Sequence, residues 1–466
     1  MNDHSSSAFQ ADETARLLEK EKMYCSYGDT VHYAQNPKIF ERCAGSYLYD
    51  DKGGKYLDLQ MWYSTANLGY ANPKINAALL AQAERLPQLA SQFLHREKIE
   101  LAEKICESVQ RGFGLKGRVH FNVGGAQAIE DAIKLVRQTT RRQRMIAFKG
   151  SYHGRTLAAS SITAAYRYRE SFGEFADRAH FLTFPYAFRA GFGGDLQRTE
   201  DGCVAEFESL FEHECTGAWN PKTGHSEFGG IFCEPLQGTG GYNVPPKGYW
   251  KRMARIAKER GILFVDDEVQ MGLFRTGKMW AMEHFDVQPD IIVFGKALTN
   301  GLNPLSGIWA REELINPTVF PPGSTHSTYS SNTLGTATGL AVMKEFETGN
   351  YGPQALEKGA RFLAGLQVLK AKYPQIGNVD GMGLALRMEM CEADGFTPSR
   401  ALCDRLFQIG LGGNLDLGKG VVGLVLNVGG YYKNVITIVP SLQITHEEID
   451  QALHALDVVL SIGTRA

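Results

Sequence analysis

The sequence predicts an α/β fold, a mostly parallel sheet covered by helices. Three observations carry that expectation. The stretch from Gly261 to Gly301 holds two short apolar runs, Ile262 to Val265 and Ile291 to Phe294, each rich in β-branched or aromatic residues and bounded by turn formers or charge. Strands buried on both faces look like this. The segment GRVHFNVGGAQAIEDAIKLVRQTTR runs strand, glycine turn, helix. From about residue 345 onward, helices and short strands alternate.

The chain has 466 residues, long enough for two or three domains and a sizeable core. Hydrophobic residues make up 43% and charged residues 21%, as in soluble globular proteins. A net charge of −2 argues against nucleic acid or an anionic membrane as partner. No run approaches the roughly 20 apolar residues of a membrane span. The first 22 residues are polar, unlike a secretory signal. Eight cysteines without a CxxC pair read as reduced thiols in the cytoplasm, with no metal site.

Taken in order, residues 1 to about 35 read as an N-terminal arm. FERCAGSYLYDDKGGKYLDLQ then reads as a β-hairpin, with its turn at Asp51-Lys52-Gly53-Gly54. Asn72-Pro73 opens a helix carrying Ile75, Leu79, Leu80 and Ala83 on one face. Leu101 to Val109 is amphipathic. Gly124 and Gly125 let backbone approach a ligand, and the helix they open points free N–H groups at that spot, which suits a phosphate. Residues 187 to 228 read as a surface excursion, and KGYWKRMARIAKERG as a crossover helix with a solvated basic face. Thr445 and Glu448 form a capping box for the last helix. The glycine-rich segment from about 410 to 430 has no assigned role.

The two apolar runs end in ionisable groups, Asp266, Asp267 and Glu268 after the first and Lys296 after the second. Ligands of open α/β sheets gather beyond the carboxyl ends of the strands. A carboxylate and an amine delivered to one sheet edge suit pyridoxal 5'-phosphate, whose aldehyde is held by a lysine and whose ring nitrogen stays protonated beside a carboxylate. Asp267 and Val269 point to one side of an extended chain, so Asp267 meets the ring nitrogen while Val269 packs on the ring face. Gln270 is placed to bond the ring hydroxyl.

The pattern DEVQ, G, RTG, EH, PDI and GK, here Asp267 to Gln270, Gly272, Arg275 to Gly277, Glu283-His284, Pro289 to Ile291 and Gly295-Lys296, resembles the class III (ornithine/4-aminobutyrate type) aminotransferases of fold type I. The resemblance implies a mostly parallel seven-stranded sheet sandwiched by helices, with a smaller α+β domain from both termini. It divides the chain into an arm and part of the small domain (1–75), a large cofactor domain (76–344) and a C-terminal small domain (345–466). It makes Lys296 and Asp267 catalytic. It assigns cofactor contacts to Gly124, Gly125, Ala126, Tyr152, His153, Glu234, Val269, Gln270, Ser327 and Thr328, with Tyr152 on the ring face opposite Val269, His153 as structural support and Thr328 reaching the neighbouring subunit's phosphate. It places Tyr63, Thr239 and Thr437 at the substrate. The assembly implied is a homodimer or a tetramer, and the partners are a small amino acid and an oxo acid.

The chain departs from the pattern in several places. Met271 and Phe274 stand where Thr and Gly are usual, and Gly124 to Ala128 lacks the usual serine and glutamate. Thr239 and Thr437 replace a glutamate–arginine switch whose arginine grips a substrate carboxylate. Losing both charges together is coherent, because either one alone in a pocket is costly. Arg42, Arg155, Arg189, Arg275 and Arg387 are the alternative cations. The expected activity is transamination of an ω-amino or diamino acid. The alternative is a lyase, eliminating a β- or γ-substituent, or an isomerase.

Overall fold

The computed structural model describes residues 3–26, 28, 35, 37–172, 178–212, 215 and 217–465, and for residues 3–12 and 170 the backbone alone. Part of the arm expected over 1–35 therefore lies outside the described residues; what is described of it is the helix Asp3–Tyr24.

Seven strands form the large sheet, in the spatial order Gly117–Asn122, Ser306–Arg311, Ile291–Phe294, Leu263–Asp267, Phe228–Cys233, Arg144–Phe148, His180–Leu182. Ser306–Arg311 runs antiparallel to both neighbours, and the remaining pairs are parallel. The central strands are buried on both faces because their side chains alternate between two apolar layers. Val265, Ile291 and Val293 face a layer with Ile129, Ile133 and Val136 of the helix Gly125–Thr140. Phe264, Ile292 and Phe294 face the opposite layer, with Trp250, Met253 and Trp280.

A second, antiparallel sheet orders Ile376–Met382, Ala385–Met390, Val435–Ile438 and Asn427–Gly429. A third joins the hairpin strands Phe40–Ala44, Tyr47–Asp50 and Lys55–Asp58 to Val421–Val425, which lies parallel to Lys55–Asp58. Both ends of the chain thus build the smaller α+β part. The glycine-rich segment supplies one strand to each of these two sheets, a role its composition does not announce. The boundaries drawn at 75 and 344 fall inside the helices Pro73–Arg85 and Thr333–Thr348.

Candidate active site

The strand Leu263–Asp267 and its parallel neighbour Ile291–Phe294 are in register with Val265 opposite Ile291 and Asp267 opposite Val293. Their carboxyl ends therefore deliver Asp267 and Lys296 to one edge of the sheet. The strand ends at Asp267. Val269 reaches the site through a turn in which its N–H donates to Asp267 Oδ1 at 3.1 Å, rather than through the pleat of an extended chain. A short acidic side chain capturing the backbone two residues on is a common strand terminator.

Asp267 is buried, and its other oxygen, Oδ2, accepts from His153 Nδ1 at 2.7 Å. Its neighbours Asp266 and Glu268 are wholly buried as well, and burial holds both carboxyls well above the carboxylate range. Glu268 Oε1 accepts from Met282 N at 2.8 Å, so these two acids belong to the interior rather than to the cavity.

Lys296 opens a short 3-10 turn with φ of +41°, a conformation that non-glycine residues adopt at a cost. Burial lowers its ammonium pKa, against the opposing fields of Asp267 and Glu234. Glu234 is buried with Oε2 unbonded, and burial, reinforced by Asp267, holds its carboxyl well above the usual range. The backbone N–H groups of Gly238 and Tyr152 donate to it, which ties the EPLQG turn to the YHG turn.

Val269 is central. A Cβ on Gly125 would come 3.3 Å from Val269 Cγ1, and one on Gly295 would come 3.7 Å from the same atom. The glycine turn, Val269 and the Lys296 turn are therefore packed together. The helix Gly125–Thr140 has no side-chain cap, so its first N–H groups are open to an anion. Gly154 packs on Ala126, which brings Tyr152 and His153 beside that helix end. Tyr152 makes an edge contact with Tyr168 at 5.4 Å.

Gln270 Nε2 donates to Tyr242 Oη at 2.8 Å and lies 3.5 Å from Tyr63 O. Tyr63 itself is exposed at the end of an unusual turn. Met61, Trp62, Tyr63 and Ser64 all have φ between +42° and +65°. Four left-handed residues in a row cost roughly 4–8 kcal/mol, at about 1–2 kcal/mol each. The buried Arg275 holds this turn, donating from Nε to Ser64 Oγ at 2.9 Å, from Nη1 to Leu384 O and Pro440 O at 3.1 and 2.6 Å, and from Nη2 to Asn67.

Arg275 is thus spent on scaffold, and burial brings its pKa down to about 10. Arg387 donates to Asn243 and Glu389, and Arg189 is paired with Glu389 at 2.8 Å. Arg42 is exposed and stacked on Tyr49. Arg155 is exposed, its Cζ 4.3 Å from the Tyr168 ring and 5.8 Å from the Tyr152 ring. Thr239 O accepts from Gly430 N at 3.1 Å, and Thr437 Oγ1 accepts from Asn427 Nδ2 at 2.6 Å. The positions of the expected switch are therefore held by neutral hydrogen bonds.

Ser327 bonds Ser330 through N–H and hydroxyl. Thr328 lines a cavity of about 980 Å³ shared with Phe93, Gly124, Gln127 and Tyr329. Tyr242 and Asn427 were not legible as site residues from the sequence. For Tyr242 the available signal was its place in the glycine-rich turn GGYN, where it has φ of +55°. Asn427 carried no signal.

The pattern described as aminotransferase class-III matches residues 30–460. A probable 4-aminobutyrate aminotransferase of Bacillus subtilis is 31% identical over 450 residues, covering 96% of this chain and 98% of the relative. An alanine/serine racemase of Pyrococcus horikoshii is 31% identical over 446 residues, covering 95% and 89%. The solved structure of a taurine:2-oxoglutarate aminotransferase from Bifidobacterium kashiwanohense, in complex with pyridoxal phosphate and glutamate, is 25% identical with a TM-score of 0.83, covering 95% and 96%. The chain belongs to the class-III aminotransferase family.

Proposed function

We propose that the protein is an aminotransferase for an ω-amino or diamino acid with an oxo acid as acceptor. The observation that carries this is the delivery of Asp267 and Lys296 to one sheet edge with Val269 packed between the glycine turn and the lysine turn. The cofactor is pyridoxal 5'-phosphate. It supplies an aldehyde that condenses with amines and a ring that takes up the electron pair released at the substrate carbon.

The residues present fit that group. The uncapped amides of Gly125 and Ala126 suit its phosphate, with Gly124 allowing close approach. Tyr152 and Val269 would hold the ring faces, Gln270 the ring hydroxyl and Asp267 the ring nitrogen. His153 orients Asp267, and Glu234 backs the site. Lys296 would hold the aldehyde. Because burial lowers its pKa, more of the amine would be neutral and able to take and return a proton at the substrate carbon. Tyr63, Thr239 and Thr437 would border the substrate, and the exposed Arg155 beside the Tyr152 ring would be the cation for its carboxylate.

We place the functional unit as a homodimer, with Ser327 and Thr328 serving the neighbouring site. The exposed Phe93, Leu94 and Tyr329 about the Thr328 cavity support a second copy there. No helix among the described residues is long and apolar enough to cross a membrane, and all eight cysteines are unpaired, which supports a cytoplasmic location.

The test is a visible spectrum of the holoenzyme mixed with diaminobutyrate, ornithine, lysine or γ-substituted amino acids. Transamination consumes the bound pyridoxal absorbance once and restores it when an oxo acid is added. Persistent absorbance with accumulating ammonia would point to the lyase instead. A racemase is the second reading, favoured by the alanine/serine racemase among the relatives. It would interconvert enantiomers over many turnovers without oxo acid.

A further inference from the structure

We propose that Tyr242 is a positioning residue for the cofactor ring: its hydroxyl takes one N–H of the Gln270 amide and so turns the other toward the ring hydroxyl. The proposal rests on the assignment of Gln270 to that hydroxyl.

The Gln270 amide is held from two sides. Its Oε1 lies where a Cβ on Gly238 would come within 2.0 Å, so the carbonyl end is pressed against backbone that only glycine leaves open. Its Nε2 donates to Tyr242 Oη at 2.8 Å. The remaining N–H meets Tyr63 O at 3.5 Å, beyond normal hydrogen-bond length, and is available to a better acceptor.

The Tyr242 phenol is buried, and burial, against the opposing charge of Arg275 and the neighbouring Thr437 hydroxyl, holds it protonated above its ordinary range. Its oxygen accepts from Gln270 Nε2, which commits one amide N–H and leaves the other for a second acceptor.

The backbone of Tyr242 is fixed as firmly. It stands at φ of +55°, and the adjacent Asn243 donates to Gln237 Oε1 and Gly240 O at 3.0 and 3.1 Å and accepts from Arg387. A strained residue held by several independent bonds is the arrangement expected where geometry serves a site. Tyr242 thereby sets where the ring hydroxyl finds its donor, by committing one N–H of the Gln270 amide. A donor at that oxygen withdraws electron density and lowers the proton affinity of the adjoining lysine–cofactor linkage.

The test is a pH titration of the visible absorbance of the holoenzyme, with cofactor affinity measured by equilibrium dialysis. Losing one hydrogen bond of ordinary strength corresponds to about one pH unit or less and a fewfold to tenfold change in affinity. In Tyr242→Phe the absorbance midpoint moves up by that amount and cofactor binds more weakly. Tyr242→Met, which removes the same hydroxyl, moves the midpoint the same way and serves if Tyr242→Phe does not fold. An unchanged midpoint and affinity in Tyr242→Phe, or a lowered melting temperature alone, overturns the proposal. Gln270→Ala separates the two levels. If it leaves the midpoint unmoved, the assignment of Gln270 fails; if it moves the midpoint while Tyr242→Phe does not, only the role of Tyr242 fails.

Discussion

His153 Nδ1 lies 2.7 Å from Asp267 Oδ2, with both side chains buried and His153 Nε2 left without a hydrogen-bond partner. A carboxylate only accepts, so the imidazole proton sits on Nδ1 and the bond fixes the plane of the Asp267 carboxyl. Val269 N holds the other oxygen. Asp267 is therefore aimed by two donors before any ligand arrives. His153→Ala is expected to lower kcat about tenfold to a hundredfold while cofactor remains bound, as when a partner orienting an active group is removed. Stopped-flow of the first half-reaction checks this, and an unchanged rate would sink the orienting role.

Lys296 is the amine at the same edge. Lys296→Ala is expected to lose turnover by at least about a hundredfold, and Lys296→Arg to do no better, because a guanidinium stays charged at working pH. Single-turnover absorbance with the amino donor reads both variants. Normal turnover in either would rule out the scheme.

Arg275 bonds Ser64, Asn67 and two backbone carbonyls from a fully buried position. Arg275→Leu takes a donor from each of these buried groups, at about 1–3 kcal/mol for each one left unsatisfied, and releases the left-handed turn at Met61–Ser64. A loss of at least about 3 kcal/mol in chemical denaturation is expected. A stability within error of the parent would show that the turn does not depend on this arginine.

Asp131 gives a pH prediction. Burial alone would raise its carboxyl, but hydrogen bonds with His120, Thr325 and Asn122 more than offset this and bring its pKa down to about 2. Thr325 Oγ1 donates to Asp131 Oδ1 at 2.6 Å, which ties the loop leading to Thr328 to the helix Gly125–Thr140. A depressed carboxylate stabilises the fold above its unfolded pKa near 3.8, and that contribution is lost as pH falls toward about 2. The difference is worth about 2 kcal/mol. Asp131→Asn is expected to flatten the stability profile between pH 4 and 2, as followed by urea titration.

On the proposed homodimer, Thr328→Ala is expected to weaken cofactor retention about tenfold while leaving the assembly intact, the effect of losing one charge-assisted hydrogen bond. Equilibrium dialysis beside analytical ultracentrifugation reads the two quantities separately. Full cofactor affinity in an intact dimer would count against a site shared between subunits.

What the sequence by itself determined is local. The apolar runs around Val265 and Ile291, the Asn72-Pro73 helix start, the Thr445–Glu448 capping box and the hairpin turn at Gly53-Gly54 are all legible because nearest-neighbour sterics and hydrogen bonding decide them. Asp267 and Lys296 were legible because each stands at the carboxyl end of a strand, and neighbouring parallel strands end at the same edge.

Only the tertiary structure decided how distant residues divide the work. It spent Arg275 and Arg387 on buried hydrogen bonds and set Arg155 against the Tyr152 and Tyr168 rings. It gave the glycine-rich segment to two sheets and joined Tyr242 to Gln270. It turned Met61–Ser64 left-handed, a conformation no local preference favours, because Arg275, remote in sequence, holds it there. Contacts between residues some 200 positions apart, such as Ser64 with Arg275, leave no periodic trace in the chain, so burial and hydrogen-bond satisfaction in the folded state alone select them.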